Sequence, residues 1–206
     1  MRIPDFIYPF LTQPEKNKTD HLSLPLMKTL FAALFGSIIL LSCSQQNKAD
    51  VNIFFDSEDF ANEIIEKMEM VKPVVYKKNT INQEESEAEL SDIDWSKELE
   101  LLKQANINKV AFQLSYETEE SALQTHYSLV SDDPLLVKKM TILKDSTGQI
   151  SQIKAHLSTD NYLYASEKNL VFNFDQNMVT DYHVNGWQEL FIGDRKTFEI
   201  NGEVKK

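Results

Sequence analysis

Apolar positions in this chain change their period along its length. An uncharged apolar run comes first, from Leu30 to Leu41, broken only by Gly36 and Ser37. Helical spacing follows. Phe60, Ile64 and Met68 recur every fourth position with Ala61 and Ile65 beside them, which makes one apolar stripe and predicts a helix over residues 57–70. Asp56 stands at the N-cap position, Phe55 and Phe60 stand where a hydrophobic staple would form, and Pro73 closes the segment. Trp95, Leu99 and Leu102 fall at i, i+4 and i+7, so a second helix is expected over residues 95–105, capped by Asp94. Between the two, residues 74–81 and 85–90 read as a weak hairpin turning near Asn82-Gln83-Glu84.

Beyond Asn108 the period falls to two. Phe112, Leu114 and Tyr116 alternate with polar residues, as do Leu123, Thr125, Tyr127 and Leu129. Leu136, Met140 and Ile142 form another apolar face, and Ile153, Ala155 and Leu157 a further one. Residues 162–166 and 170–174 read as two short strands joined by Glu167-Lys168-Asn169. A strand from Met178 to Val184 is expected to stop at Asn185-Gly186. Lys144 to Gly148, Asp175-Gln176-Asn177, Gly193-Asp194 and Asn201-Gly202 carry turn signals. Helices first and strands afterwards predict an α+β fold: two N-terminal amphipathic helices and a weak hairpin packed against a C-terminal antiparallel β-meander.

The first apolar run has a different meaning. It is about a dozen residues long, too short for the roughly 20 that a permanent transmembrane helix needs, and it follows the basic Lys28. That is the build of a cleavable signal. Leu40-Leu41-Ser42-Cys43, which holds the only cysteine of the chain, resembles the lipobox of bacterial lipoproteins position by position. The resemblance implies diacylglycerol joined by a thioether to the Cys43 thiol, cleavage before Cys43, and acylation, such as palmitoylation, of the new amine. It also implies a cell-envelope location. Ser44 after the cysteine resembles an outer-membrane sorting pattern. The arrangement as a whole resembles small uncharacterised lipoproteins of Gram-negative envelopes, which brings no activity with it.

The expected organisation is then a signal peptide over residues 27–42, a polar tether over 43–52, and a single α+β domain over 53–206. Residues 1–26, with Pro4, Pro9, Pro14 and Pro25 and no periodicity, are expected to be a non-native or disordered extension, with Met27 as the start.

Charge narrows the partners. Removing residues 1–42 takes Arg2, Lys16, Lys18 and Lys28 from the 21 basic residues and Asp5, Glu15 and Asp20 from the 32 acidic ones. That leaves 17 and 29, a net charge of −12. Such a chain is repelled by nucleic acid and by anionic lipid, so the covalent anchor would be its hold on the membrane. With the lone cysteine lipidated no disulfide is available.

Candidate chemistry is sparse. His126, His156 and His183 lie on expected strands without the spacing of a metal site. Asp145-Ser146-Thr147-Gly148 has an aspartic-protease flavour, but its glycine comes one residue late, and a tight turn explains the same residues. The acidic run from Glu84 to Glu89 reads as a solvated strand edge. Tyr162, Tyr164, Phe172, Phe174, Tyr182, Trp187, Phe191 and Phe198 read mainly as core, with a concave apolar surface between sheet and helices as the functional alternative. No catalytic residue, metal ligand or cofactor is assigned. The expected role is a membrane-anchored module binding a small apolar ligand or an envelope protein. The alternative is an envelope hydrolase using paired carboxylates.

Overall fold

The computed structural model describes residues 53–205. The expected signal, the lipidation site Cys43, the tether and the leading segment lie outside the described residues.

Helix α1 spans Ser57–Val71. Its start is tied down by Asp56, whose carboxylate accepts from the Asp59 backbone N–H at 2.9 Å and from the side-chain amides of Asn106 and Asn108. A cap of this kind contributes about 1 kcal/mol, and here it also fastens the helix to a distant segment. The staple forms, with the Phe55 and Phe60 rings 5.5 Å apart. Lys72 ends the helix in the left-handed region (φ 47°), its N–H bonded to Met68 O, and Pro73 prevents continuation. Ala61, Ile64, Ile65 and Met68 are buried, as the stripe requires. The second helix is interrupted. α2 spans Trp95–Glu98 and α3 spans Glu100–Gln104, with Leu99 between them at φ −94°. The break does not disturb the stripe, since Trp95, Leu99 and Leu102 are all almost fully buried.

The hairpin is β1, Val75–Ile81, and β2, Glu84–Leu90, joined through Asn82 and Gln83 at φ 48° and 76°. A short 3₁₀ turn over Val110–Phe112 precedes β3 (Tyr116–Glu120), β4 (Gln124–Leu129), β5 (Val137–Lys144), β6 (Ile150–Asp160), β7 (Tyr164–Asp175), β8 (Met178–Leu190) and β9 (Lys196–Val204). These nine strands form one antiparallel sheet in the order β2-β1-β9-β8-β7-β6-β5-β4-β3.

This corrects the expected layout. The hairpin does not pack against the meander but joins it edge-on, Val75 to Ile81 running opposite Val204 to Phe198. Glu167-Lys168-Asn169 is the middle of the long strand β7, not a turn. Asn185-Gly186 and Asn201-Gly202 lie inside β8 and β9 and break neither. Residues 112–114 are not strand, and Leu114 is 91% exposed. The apolar face of β5 shifts from the expected Leu136 to Val137, because a register irregularity between Val137 and Lys139 resets the alternation.

The helices cover one face of the sheet. Ile64, Met68, Trp95, Leu99 and Leu102 from the helices join Met140, Ile153, Leu157, Leu170 and Phe172 from the strands in one core, each at most 2% exposed. Each such side chain contributes roughly 1.5–3 kcal/mol. The two edges, β2 and β3, carry Glu84, Glu85, Glu87 and Glu89, and Glu117, Glu119 and Glu120. Charged edges discourage pairing with another chain.

Candidate functional site

The helices and the sheet face they cover share one core of buried side chains, and the aromatic residues divide into two groups. Phe172, Phe174 and Tyr182 are core, with the Phe172 ring stacked on those of Phe174 and Tyr182, centroids 6.5 and 5.6 Å away. Tyr162, Trp187 and Phe191 are at the surface or half-buried. Two features stand out on the surface of the described residues.

The first is a groove of about 340 Å³ on the helix-free face, where β7, β8, β9 and β1 lie side by side. Strand alternation builds it. Glu167 pairs with Trp187, which pairs with Thr197, and Asn169 pairs with Asn185, which pairs with Glu199 and, across β9, Thr80. All seven residues project from the same face. Arg195 lies 3.8 Å above the Trp187 ring and is salt-bridged to Glu189 at 3.0 Å, which fixes the indole as one wall. The floor dips at Gly186. A Cβ there would lie 2.1 Å from the Glu167 carbonyl oxygen, so only glycine lets β7 and β8 approach this closely.

Three of the lining residues, Asn169, Asn185 and Glu199, belong to a side-chain ladder that crosses four strands. His156 Nδ1 meets Asn169 Oδ1 at 2.9 Å, Asn169 Nδ2 donates to Asn185 Oδ1 at 3.1 Å, and Asn185 Nδ2 donates to His183 Nε2 at 2.8 Å. His183 must then carry its proton on Nδ1, from which it donates to Asn201 Oδ1 at 2.6 Å. Asn201 in turn donates to Glu199 at 3.2 Å. Glu167 and Glu199 stand 3.9 and 3.8 Å from the His156 and His183 rings. The array is prearranged, since each amide is oriented by its neighbours before any ligand arrives.

The second feature is an apolar cluster at one end of the sheet. Tyr162, Leu163, Leu190, Phe191 and Ile192 are between 46% and 87% exposed. They sit at the end of β8 and on two neighbouring connections, β6–β7 and β8–β9, clipped together by Phe191 N donating to Leu163 O at 3.0 Å. A contiguous exposed patch of large apolar residues marks an interaction surface more often than an isolated one does.

The other candidates are structural where they are described. His126 bridges Thr141 and Ser128 at 2.8 and 3.0 Å on the same outer face as His156 and His183. Among the described residues no three His, Cys, Asp or Glu side chains converge as a metal site would require. Asp145 holds its own turn. Its carboxylate accepts from the Thr147 hydroxyl at 2.7 Å and from the backbone N–H groups of Thr147 and Gln149, with Gly148 at φ 87°. The Thr147 hydroxyl is the main reason that its carboxyl sits below the usual range. A carboxylate depressed on folding stabilises the folded state above its unfolded pKa of about 3.9, and this contribution fades as pH falls through the lower folded value. Asp145→Asn should therefore flatten the acid side of the stability profile below about pH 4. Urea unfolding at pH 2.5 to 5 checks this, and parallel acid limbs in the two proteins would reject it. Asp94 is held low in the same way, first by the Lys97 side chain, as befits the cap of α2.

Sequence reading noted Trp187 only among the aromatics and passed over Glu167, Asn169, Asn185 and Glu199. The available signal was Asn and Glu at alternate positions of successive strands, hidden because both segments were read as turns.

Among the described residues no helix is long and apolar enough to cross a membrane. The chain matches no protein-family model and no curated protein.

Proposed function

We propose that this chain is a lipid-anchored protein of the bacterial cell envelope, expected at the outer membrane, that works by binding rather than by catalysis. Diacylglycerol on Cys43 holds it, residues 43–52 give a tether of up to roughly 35 Å, and the sheet and helices present their surfaces to a partner. The observation that carries the binding reading is the exposed cluster of Tyr162, Leu163, Leu190, Phe191 and Ile192 beside a core already filled by α1 to α3. A partner of the protein kind suits such a patch, since exposed large apolar side chains lose their contact with water when another protein covers them. The anchor reading rests on Leu40-Leu41-Ser42-Cys43. One acyl chain binds a membrane only marginally, whereas two or three hold a protein almost permanently.

The test is the intact mass of protein extracted from membranes of the source bacterium. A chain beginning at Cys43 and heavier by a diacylglycerol and a fatty acyl group supports the reading, and Cys43→Ala should move the protein to the soluble fraction. A membrane-extracted chain that starts before Cys43, or carries a free thiol, overturns the anchor. For binding, Phe191→Asp with Ile192→Asp should abolish crosslinking at the patch to the partner captured by the wild-type chain. Unchanged crosslinking would remove the patch from the account.

A further inference from the structure

We propose that the groove on the helix-free face is a binding site for an uncharged saccharide. The proposal goes beyond the reading above: it stands on the groove alone, and is independent of the lipid anchor and of the apolar patch.

The charge of the groove excludes anions first. Glu167 and Glu199 line it, and the nearest guanidinium, that of Arg195, is already paired with Glu189 and stacked on Trp187. Phosphates, nucleic acid and anionic lipid headgroups would meet two carboxylates of their own sign, whose charged or polar neighbours in the ladder are His156, His183 and Asn201. Its apolar surface is too small for an acyl chain: Trp187 is the one large apolar side chain among the lining residues on this face, since Phe198 alternates onto the helix-covered face and packs against the core. What remains is a ligand with one or two apolar faces and a rim of neutral hydrogen-bonding groups. A pyranose ring is built that way: its C–H groups form apolar faces that stack on an indole, and its hydroxyls both donate and accept around the edge.

The polar lining matches those hydroxyls. Asn169 and Asn185 offer amide groups, Glu167 and Glu199 offer acceptors, and Thr80 offers a hydroxyl that can do either. A volume of about 340 Å³ lies at the small end of ligand pockets. The ladder supplies preorganisation. Asn185 is held between Asn169 and the His183 ring, and Glu199 is held by Asn201, so binding need not freeze these side chains afresh. A flat hydrogen-bonding array beside one fixed aromatic wall is poorly suited to a protein partner, which would seek the apolar patch instead.

The experiment uses the full chain in detergent, titrated with chitotetraose, maltotetraose and cellotetraose while tryptophan emission is followed. The chain has two tryptophans, and Trp95 is 2% exposed, so a ligand-dependent change reports on Trp187. A saturable shift with at least one of these sugars is expected, and its affinity should be unchanged between low and high salt. Trp187→Ala and Asn185→Leu should each weaken it at least tenfold, Trp187→Phe should keep part of it, and circular dichroism and the melting temperature show that each variant is folded. Binding to the variants is read by calorimetry, which does not depend on Trp187. Silence from all three sugars at millimolar concentration overturns the proposal. So does undiminished binding by a folded Trp187→Ala chain, or saturable binding of polylysine that weakens with salt and needs Glu167 and Glu199. Loss of the saccharide signal leaves the mass and fractionation results for Cys43 untouched, so the two readings fail separately.

Discussion

Glu98→Ala is expected to lower the unfolding free energy by about 3–5 kcal/mol, the range found when one partner of a buried ion pair is removed. Glu98, on α2, is reached by Lys77 of β1, whose Nζ lies 2.6 and 2.8 Å from the two carboxylate oxygens. Tyr182 of β8 donates its hydroxyl to Glu98 Oε2 at 2.6 Å. The two charged side chains are only 10% and 13% exposed, so solvent screens them little. Truncation would leave a buried ammonium group and a phenol hydroxyl without their acceptor. The double variant Lys77→Met with Glu98→Leu should recover most of the loss, because the charge that remains in the single variant is then gone too. Urea unfolding of the wild type, both single variants and the double variant measures this. A loss below about 1 kcal/mol for Glu98→Ala would show that the pair behaves like a surface salt bridge.

The same cluster sets an alkaline limit. Burial first, and the Glu98 charge second, raise the Tyr182 phenol far above its usual range. The folded chain keeps this proton where the unfolded chain loses it, above about pH 10. The stability it confers is complete below that pH and declines as pH rises further. Tyr182→Phe should remove that component of the alkaline decline.

Gly202→Ala is expected to cost about 3 kcal/mol, toward the upper end of overpacking effects, although glycine inside a strand is ordinarily the weaker residue. Gly202 lies between Tyr182 on β8 and Lys77 on β1. A Cβ there would sit 2.2 Å from two atoms of the Tyr182 ring. That ring cannot swing away cheaply: its hydroxyl is bonded to Glu98 and its face is stacked on Phe172, centroids 5.6 Å apart. Tyr182→Leu in the same chain should therefore recover part of the loss. Gly186→Ala makes the contrast, because its obstacle is the backbone oxygen of Glu167, and no neighbouring side-chain replacement should rescue it. Thermal and urea unfolding of the two single variants and the Gly202→Ala, Tyr182→Leu pair separate these cases. Equal rescue at both positions, or none at Gly202, would contradict the packing described.

The two glycines also show where reading the chain from its residues goes astray. Asn185-Gly186 and Asn201-Gly202 are the dipeptides that usually punctuate strands, and local chemistry alone makes them turns. In the folded chain Gly202 makes room for a tyrosine 20 residues earlier in sequence, and Gly186 makes room for the backbone of β7. Asn201 and Asn185 serve the polar ladder of the outer face. The need for a missing side chain came from the neighbouring strand, which sequence order does not display. Glu167-Lys168-Asn169 departs from its turn signal for a related reason: Glu167 and Asn169 line the groove, and Lys168 lies half-buried on the opposite face of β7.

What the amino-acid order settled unaided was local. Asp56, the stripe from Phe60 to Met68 and Pro73 specify α1 through a cap, a 3.6-residue period and a stop, which involve only near neighbours. Alternation placed Ile153, Ala155 and Leu157 correctly on the core face of β6, and the acidic run in β2 correctly on an edge. The tertiary structure decided the rest: that the N-terminal hairpin extends the sheet by pairing with the last strand, that the helices cover one face of it, and that Asn169 of β7 meets Asn185 and Trp187 of β8. Those outcomes depend on which strand lies beside which. Strand pairing is a contest among long-range contacts of similar local strength, and the register that buries one face completely wins it.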